Sequence, residues 1–168
     1  RYNDRGEVIS GGKFRDNDSA VAGMQFNSEF DHIGNRTASS AGDSVVATAY
    51  STNSLNQYIQ VDGPGERYVV GASDSAATVT INGNNASRQN DWFARKVDLG
   101  NGARPSVANI EVIADKNGST TTERGFFRSK PANYAPSYDS DGNLLSDGLW
   151  DLTWNGENRL VAMQSTAG

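Results

Sequence analysis

The stretch Tyr138-Asp139-Ser140-Asp141-Gly142-Asn143-Leu144 decides how the rest of the chain is read. An aromatic residue leads and an Asp follows. Two variable residues then bring the chain to Gly, a polar residue and an apolar one. Asp can accept hydrogen bonds from the backbone just ahead of it. Gly enters the left-handed region without a Cβ penalty, and Asn tolerates the neighbouring position. The apolar residue starts a return strand. The stretch therefore reads as a β-hairpin turn whose aromatic residue ends a strand and packs inward.

The same order recurs in Tyr2-Asn3-Asp4-Arg5-Gly6-Glu7-Val8 and in Phe30-Asp31-His32-Ile33-Gly34-Asn35-Arg36. Tyr50-Ser51-Thr52-Asn53-Ser54-Leu55-Asn56-Gln57-Tyr58 is a looser copy without Gly. Trp154-Asn155-Gly156-Glu157-Asn158-Arg159-Leu160 carries its Gly one position early. One hairpin cannot bury its own face, so the copies are expected to stack. The long gap between Tyr50 and Tyr138 reads as an insertion between repeats.

Strand signals fill the gap. Ala77-Thr78-Val79-Thr80-Ile81 alternates, and Asn82-Gly83 supplies a type I′ turn. Trp92 to Leu99 is the expected return strand, stopped by Gly100-Asn101-Gly102. Ala108 to Ala114 alternates with Ile110 and Val112 on one face. Lys116-Asn117-Gly118 then turns into the β-branched strand Thr120 to Arg124. Pro131 and Pro136 lie in a stretch that cannot donate a regular ladder and reads as a linker. Helical periodicity is nearly absent. The expected fold is all-β: an Ig-like β-sandwich over residues 62–131, flanked by YD-repeat β-hairpins over residues 1–61 and 132–168.

Composition agrees with many short elements. Of 168 residues 18 are Gly, and Asn, Asp and Ser are similarly abundant. The apolar share is 36%, below the usual value of about 45–50%, so a core at this length is thin. The net charge is −5, which argues against nucleic acid and against an anionic membrane surface. No apolar run approaches the ~18 residues of a membrane span. The chain has no Cys and one His. Thiol catalysis, disulfides and sites needing two histidines are thereby excluded. The opening at Arg1-Tyr2-Asn3 reads as an internal stretch of a longer polypeptide.

The turns resemble the YD repeats of the Rhs family, relatives of teneurins and insecticidal toxin C subunits. Tyr138 to Leu144, then Asp147-Gly148-Leu149-Trp150, then Trp154 to Val161, is similar to the family pattern YDxDGNLxxDGxWxxxWDxENRLV. It departs from that pattern at Asn155, where the family has Asp. Residues 2–58 resemble it more loosely. The stretch from Ala77 to Phe127 resembles a bacterial Ig-like module. Rhs proteins wind their repeats into a spiral β-sheet that closes into a hollow shell around a toxin. The resemblance implies a non-catalytic structural segment of such a shell or of a surface fibre, secreted or on a bacterial cell surface. Its partners would be the rest of the parent polypeptide and other copies, through β-edges. No cofactor is implied.

Asp139, Asp141 and Asn143 have the 1, 3, 5 spacing of a calcium loop, but Leu144 and Trp150 stand where an EF-hand needs Gly and Glu. A carboxylate-rich turn is the better reading. No acid pair is patterned for glycoside hydrolysis. His32 sits at a variable turn position with no Gly-x-Ser-x-Gly elbow elsewhere. Gly63-Pro64-Gly65-Glu66-Arg67 lacks the Lys-Ser/Thr of a phosphate loop. No catalytic, cofactor or metal residue is assigned. The alternative function is a carbohydrate- or ligand-binding module, with a glycan stacked on Trp92, Phe93, Trp150, Trp154 or several of the Tyr residues. Trp150 and Trp154 share a face if their stretch is one strand.

Overall fold

A computed structural model of the chain describes residues 1–42 and 47–167. The first part runs through β1 (Ser10–Phe14), β2 (Ala20–Phe30), β3 (Arg36–Ala41), β4 (Thr48–Thr52) and β5 (Tyr58–Asp62). The middle holds β6 (Glu66–Ala72), β7 (Thr78–Ile81), β8 (Asn84–Asn85), β9 (Ser87–Gln89), β10 (Trp92–Asp98), β11 (Ser106–Lys116) and β12 (Ser119–Ser129). The last part holds β13 (Asn133–Tyr134), β14 (Ser137–Tyr138), β15 (Leu144–Ser146), β16 (Trp150–Trp154) and β17 (Leu160–Ser165). The described residues contain no helix, and the chain is all-β.

Strands β1 to β5 form an antiparallel meander, and β13 joins it beside β5. Asn133 lies opposite Asp62, and Tyr134 lies opposite Val61. The segment expected to be a linker thus holds a sheet strand. Pro131 and Pro136 flank the two paired residues, which keep their N–H groups. Strands β14 to β17 form a second meander. It begins close to β5, because the Tyr138 hydroxyl donates to the Tyr58 carbonyl at 3.2 Å.

Between β5 and β13, the chain builds two further sheets, ordered β6-β10-β9 and β12-β11-β7-β8. They share a core of Val79, Ile81, Phe93 and Ile110, with Val69, Val97, Val112 and Phe127 packed against it. Ile81 is fully buried. The alternation of Val79 and Ile81 with Thr78 and Thr80 is what turns one face of β7 inward.

The Asn82-Gly83 turn has φ of 48° and 75°, both left-handed, as a type I′ turn requires. Its return strand is β8, where Asn84 pairs with Ile81. The expected pairing with Trp92 to Leu99 is corrected here. Strand β10 pairs with β6 along its whole length and with β9. Alternation specifies a strand, and Asn-Gly specifies a turn, but neither specifies which distant strand becomes the neighbour. The Asn117-Gly118 turn does join its two flanking strands, with Lys116 opposite Ser119.

The central sheets lean on the far end of the first hairpin. The Trp92 indole N–H donates to the Ala22 carbonyl at 3.4 Å, and the Gln89 side-chain oxygen accepts from the Ala22 N–H at 3.2 Å. Arg15 donates to the Gln89 carbonyl. Gly23 and Gly42 have φ of +78° and +69°, and the Tyr68 ring lies against both. A side chain at either position would strike that ring, so both glycines are required twice over.

Candidate functional site

Five turns share one hydrogen-bond pattern. The N–H of the first residue donates to the carbonyl of the fifth: Asn3 to Glu7, Asp31 to Asn35, Asn53 to Gln57, Asp139 to Asn143 and Asn155 to Arg159. The N–H of the fourth donates back to the carbonyl of the first: Gly6, Gly34, Asn56, Gly142 and Asn158 are the donors. Those fourth residues have φ of 80°, 97°, 62°, 88° and 57°. This is a type I turn closed by a left-handed residue, the three-residue hairpin loop with its bulge.

The first side chain locks each turn. Its Oδ1 accepts from the third and fifth N–H groups, at 3.1 and 3.0 Å for Asn3 and at 2.9 Å twice for Asp31. Asn53, Asp139 and Asn155 repeat these bonds at 2.8–3.0 Å. Two details of the sequence reading change. The copy near Tyr50 is framed on Thr52, with Asn53 as the acceptor. In the last copy, Gly156 is not the left-handed residue; Asn158 is, at the regular position.

A sixth turn of this backbone form was missed. Arg15 N–H donates to the Ser19 carbonyl and Asp18 N–H to the Arg15 carbonyl, each at 2.9 Å. Asp18 has φ of 60°. Phe14 leads it, but Arg15 stands where the others carry Asn or Asp, and no Gly marks it. Its one sequence signal was Asp16-Asn17-Asp18 after an aromatic residue.

The five locked turns fall at one end of the sheets and reach one another in order. Arg5 donates to the Asp31 carbonyl. A Cβ at Gly34 would lie 3.3 Å from Glu7 Oε1. Asn35 Nδ2 donates to Asn56 Oδ1 at 3.2 Å. A Cβ at Gly142 would lie 3.5 Å from Gln57 Nε2. Asn143 Nδ2 donates to Asn158 Oδ1 at 2.8 Å. At each step, the fifth residue of one turn approaches the left-handed fourth residue of the next. The step from Gln57 to Gly142 passes over the whole central segment.

The two turn aspartates are held below the ordinary carboxyl value of 3.8. At Asp139 the Asn143 side-chain amide is the chief cause, and backbone N–H groups add to it against some desolvation. At Asp31 desolvation pulls upward, but the Asn35 amide and three backbone N–H groups outweigh it. These carboxylates spend their acceptor capacity on their own turns. Asp141 and His32 lie exposed in their turns. Among the described residues no three acidic or His side chains converge as metal ligands.

The aromatic residues do not form one platform. Phe93 is buried in the central core. Trp92 lies under the Lys13 ammonium, 4.5 Å from its ring centroid. Trp150 and Trp154 do share a face of β16, both half-buried. The Trp154 indole N–H donates to the Leu144 carbonyl at 2.8 Å, which anchors that ring to the neighbouring strand. Tyr2, which leads the first repeat, is 70% exposed, so the inward packing expected of the leading aromatic does not hold there.

Lys130 and Asp147 make a half-buried ion pair at 2.6 Å beside the start of β16. Asp147 Oδ1 also accepts the Leu149 and Trp150 N–H groups at 3.0 and 2.8 Å. Desolvation raises the Asp147 carboxyl, but Lys130 and these N–H groups leave it below the usual value. The chain matches no protein-family model, no curated protein and no solved structure.

Proposed function

We propose that the chain is a structural segment of a YD-repeat, Rhs-type shell or surface fibre, a non-catalytic scaffold. The observation that supports this is the ordered row of turns. Asn35 reaches Asn56, and Asn143 reaches Asn158, through the same pair of turn positions. A row built by one repeated contact can be extended indefinitely, which is what a wall requires and a self-contained binding module does not. The central sheets are then an Ig-like insert carried on the wall. Carboxylates locked into turns serve geometry instead of acid–base chemistry. A secreted or cell-surface setting comes with the resemblance.

The test is extension. A second copy of residues 137–165, joined after Ser165, should stack on β17 and raise the urea midpoint of the whole chain. An appended copy that stays unprotected from hydrogen exchange, with no change in midpoint, would defeat the scaffold reading.

A further inference from the structure

We infer that the cleft between the first meander and the central sheets is a binding site for a carboxylated saccharide. The cleft holds about 500 Å³ and is lined from β2, β3 and β4 on one side and from β6 and β10 on the other. That volume lies within the range of small-molecule sites, about 300–1,000 Å³. The site would be present whether or not the turns belong to a longer wall.

Charge is the first argument. The chain carries a net −5, yet among the described residues Arg36, Arg67 and Lys96 line this cleft with one carboxylate, that of Glu66. Glu66 is engaged by Lys96 at 3.1 Å. No carboxylate pairs with either arginine among the described residues. Arg36 meets the Phe30 ring at 5.8 Å, and Arg67 donates to the Glu66 carbonyl at 3.1 Å. Two arginines that line one cavity of an acidic protein, neither in an ion pair with a described carboxylate, suit an anion that accepts in bidentate fashion.

The second argument is the remaining lining. Tyr50 and Tyr68 bring aromatic rings to the cavity, and Ser28, Ser39 and Thr48 bring hydroxyl groups. The Tyr50 hydroxyl is tied to Ser39 Oγ at 2.9 Å, and the Lys96 ammonium sits 5.6 Å from the Tyr68 ring centroid, so both rings are held. The Tyr50 ring can cover the apolar C–H face of a sugar, the Tyr68 ring, packed on Gly23 and Gly42 beneath Lys96, walls the cavity, and hydroxyl groups can exchange hydrogen bonds with the sugar's rim. A bare phosphate would use the arginines and leave the Tyr50 ring without a partner. A neutral sugar would use that ring and leave the arginines without an acceptor. A uronic-acid-type sugar uses both.

Titration of the full chain with a uronic-acid trisaccharide, its carboxyl-reduced neutral counterpart and inorganic phosphate tests this. The acidic trisaccharide should bind at least about tenfold more tightly than the other two, the scale of a charge-assisted hydrogen bond. Arg36→Gln and Arg67→Gln should each weaken it several-fold while circular dichroism stays unchanged. Trp150→Phe, outside the cleft, should leave it alone. Equal affinity for the neutral sugar, preference for phosphate, indifference to both arginine variants, or no binding at all would overturn the assignment.

Discussion

Asn143 donates its side-chain N–H to the side-chain oxygen of Asn158 at 2.8 Å, joining two turns through side chains alone. Asn158 has a left-handed φ of 57°, so its contribution can be divided. Asn158→Gly keeps the backbone conformation and removes the bond. In a double-mutant cycle with Asn143→Ala, the coupling should be about 0.5–1 kcal/mol. Chemical denaturation of the four variants measures it. Strict additivity would mean that the contact carries no energy between turns.

Asp139 should be replaceable by Asn but not by Ala. Three of the five turns already use Asn as the first residue, at positions 3, 53 and 155. Thermal melts should place Asp139→Asn near the parent and Asp139→Ala clearly below it. Acid sensitivity follows from the same bonds. The folded Asp31 and Asp139 carboxyls lie below 3.8. Their stabilisation is complete above the unfolded value and is lost as pH falls through the lower folded value. The double variant Asp31→Asn, Asp139→Asn should therefore lose less melting temperature on acidification below about pH 4 than the parent does.

Trp154 should act as a structural residue. Trp154→Phe retains most of the ring and leaves the Leu144 carbonyl without its donor, which should cost about 1 kcal/mol. Trp154→Ala also removes half-buried area and should cost about 2 kcal/mol or more. Unaltered stability in both variants would instead free this face of β16 for a ligand.

The outer edge of β17 should recruit other chains. It pairs with β16 on one side and with no other strand among the described residues. Leu160, Val161 and Met163 are 47%, 59% and 51% exposed. Unprotected edges of this kind pair with further strands, and an inserted Lys blocks them. Light scattering should show association at high concentration that Val161→Lys suppresses. A strict monomer in the parent would show that the edge is covered.

Much of this was legible in single turns. Asp139 and Gly142 announce a hairpin because each residue type has a local backbone use. Asn56 and Asn158 are less legible, since Asn fills the left-handed position as Gly does but also serves many other backbone roles. The turn at Arg15 offers only Asp16-Asn17-Asp18 as a signal, because its backbone bonds persist without the side-chain lock of the others. Partners were harder still. Nothing in Asn133-Tyr134 says that it pairs with Asp62 and Val61, and nothing in Trp92 to Asp98 chooses β6 over β7. Those choices depend on which faces meet after long stretches of intervening chain. The cleft, likewise, gathers Arg36, Arg67 and Lys96 from three strands, so no spacing in the chain could reveal it.

The central claim is that the turns form one row across the central segment, and a paramagnetic label reads this directly. The chain has no Cys, so Ser54→Cys in the third turn gives a unique attachment point. Adjacent turns lie about two strand spacings apart, roughly 10 Å. The label should broaden the amides of Asp31–Asn35 and Asp139–Asn143 together, and those of Asn155–Arg159 less. Full signal at Asp139–Asn143, with broadening confined to the second and third turns, would contradict the row.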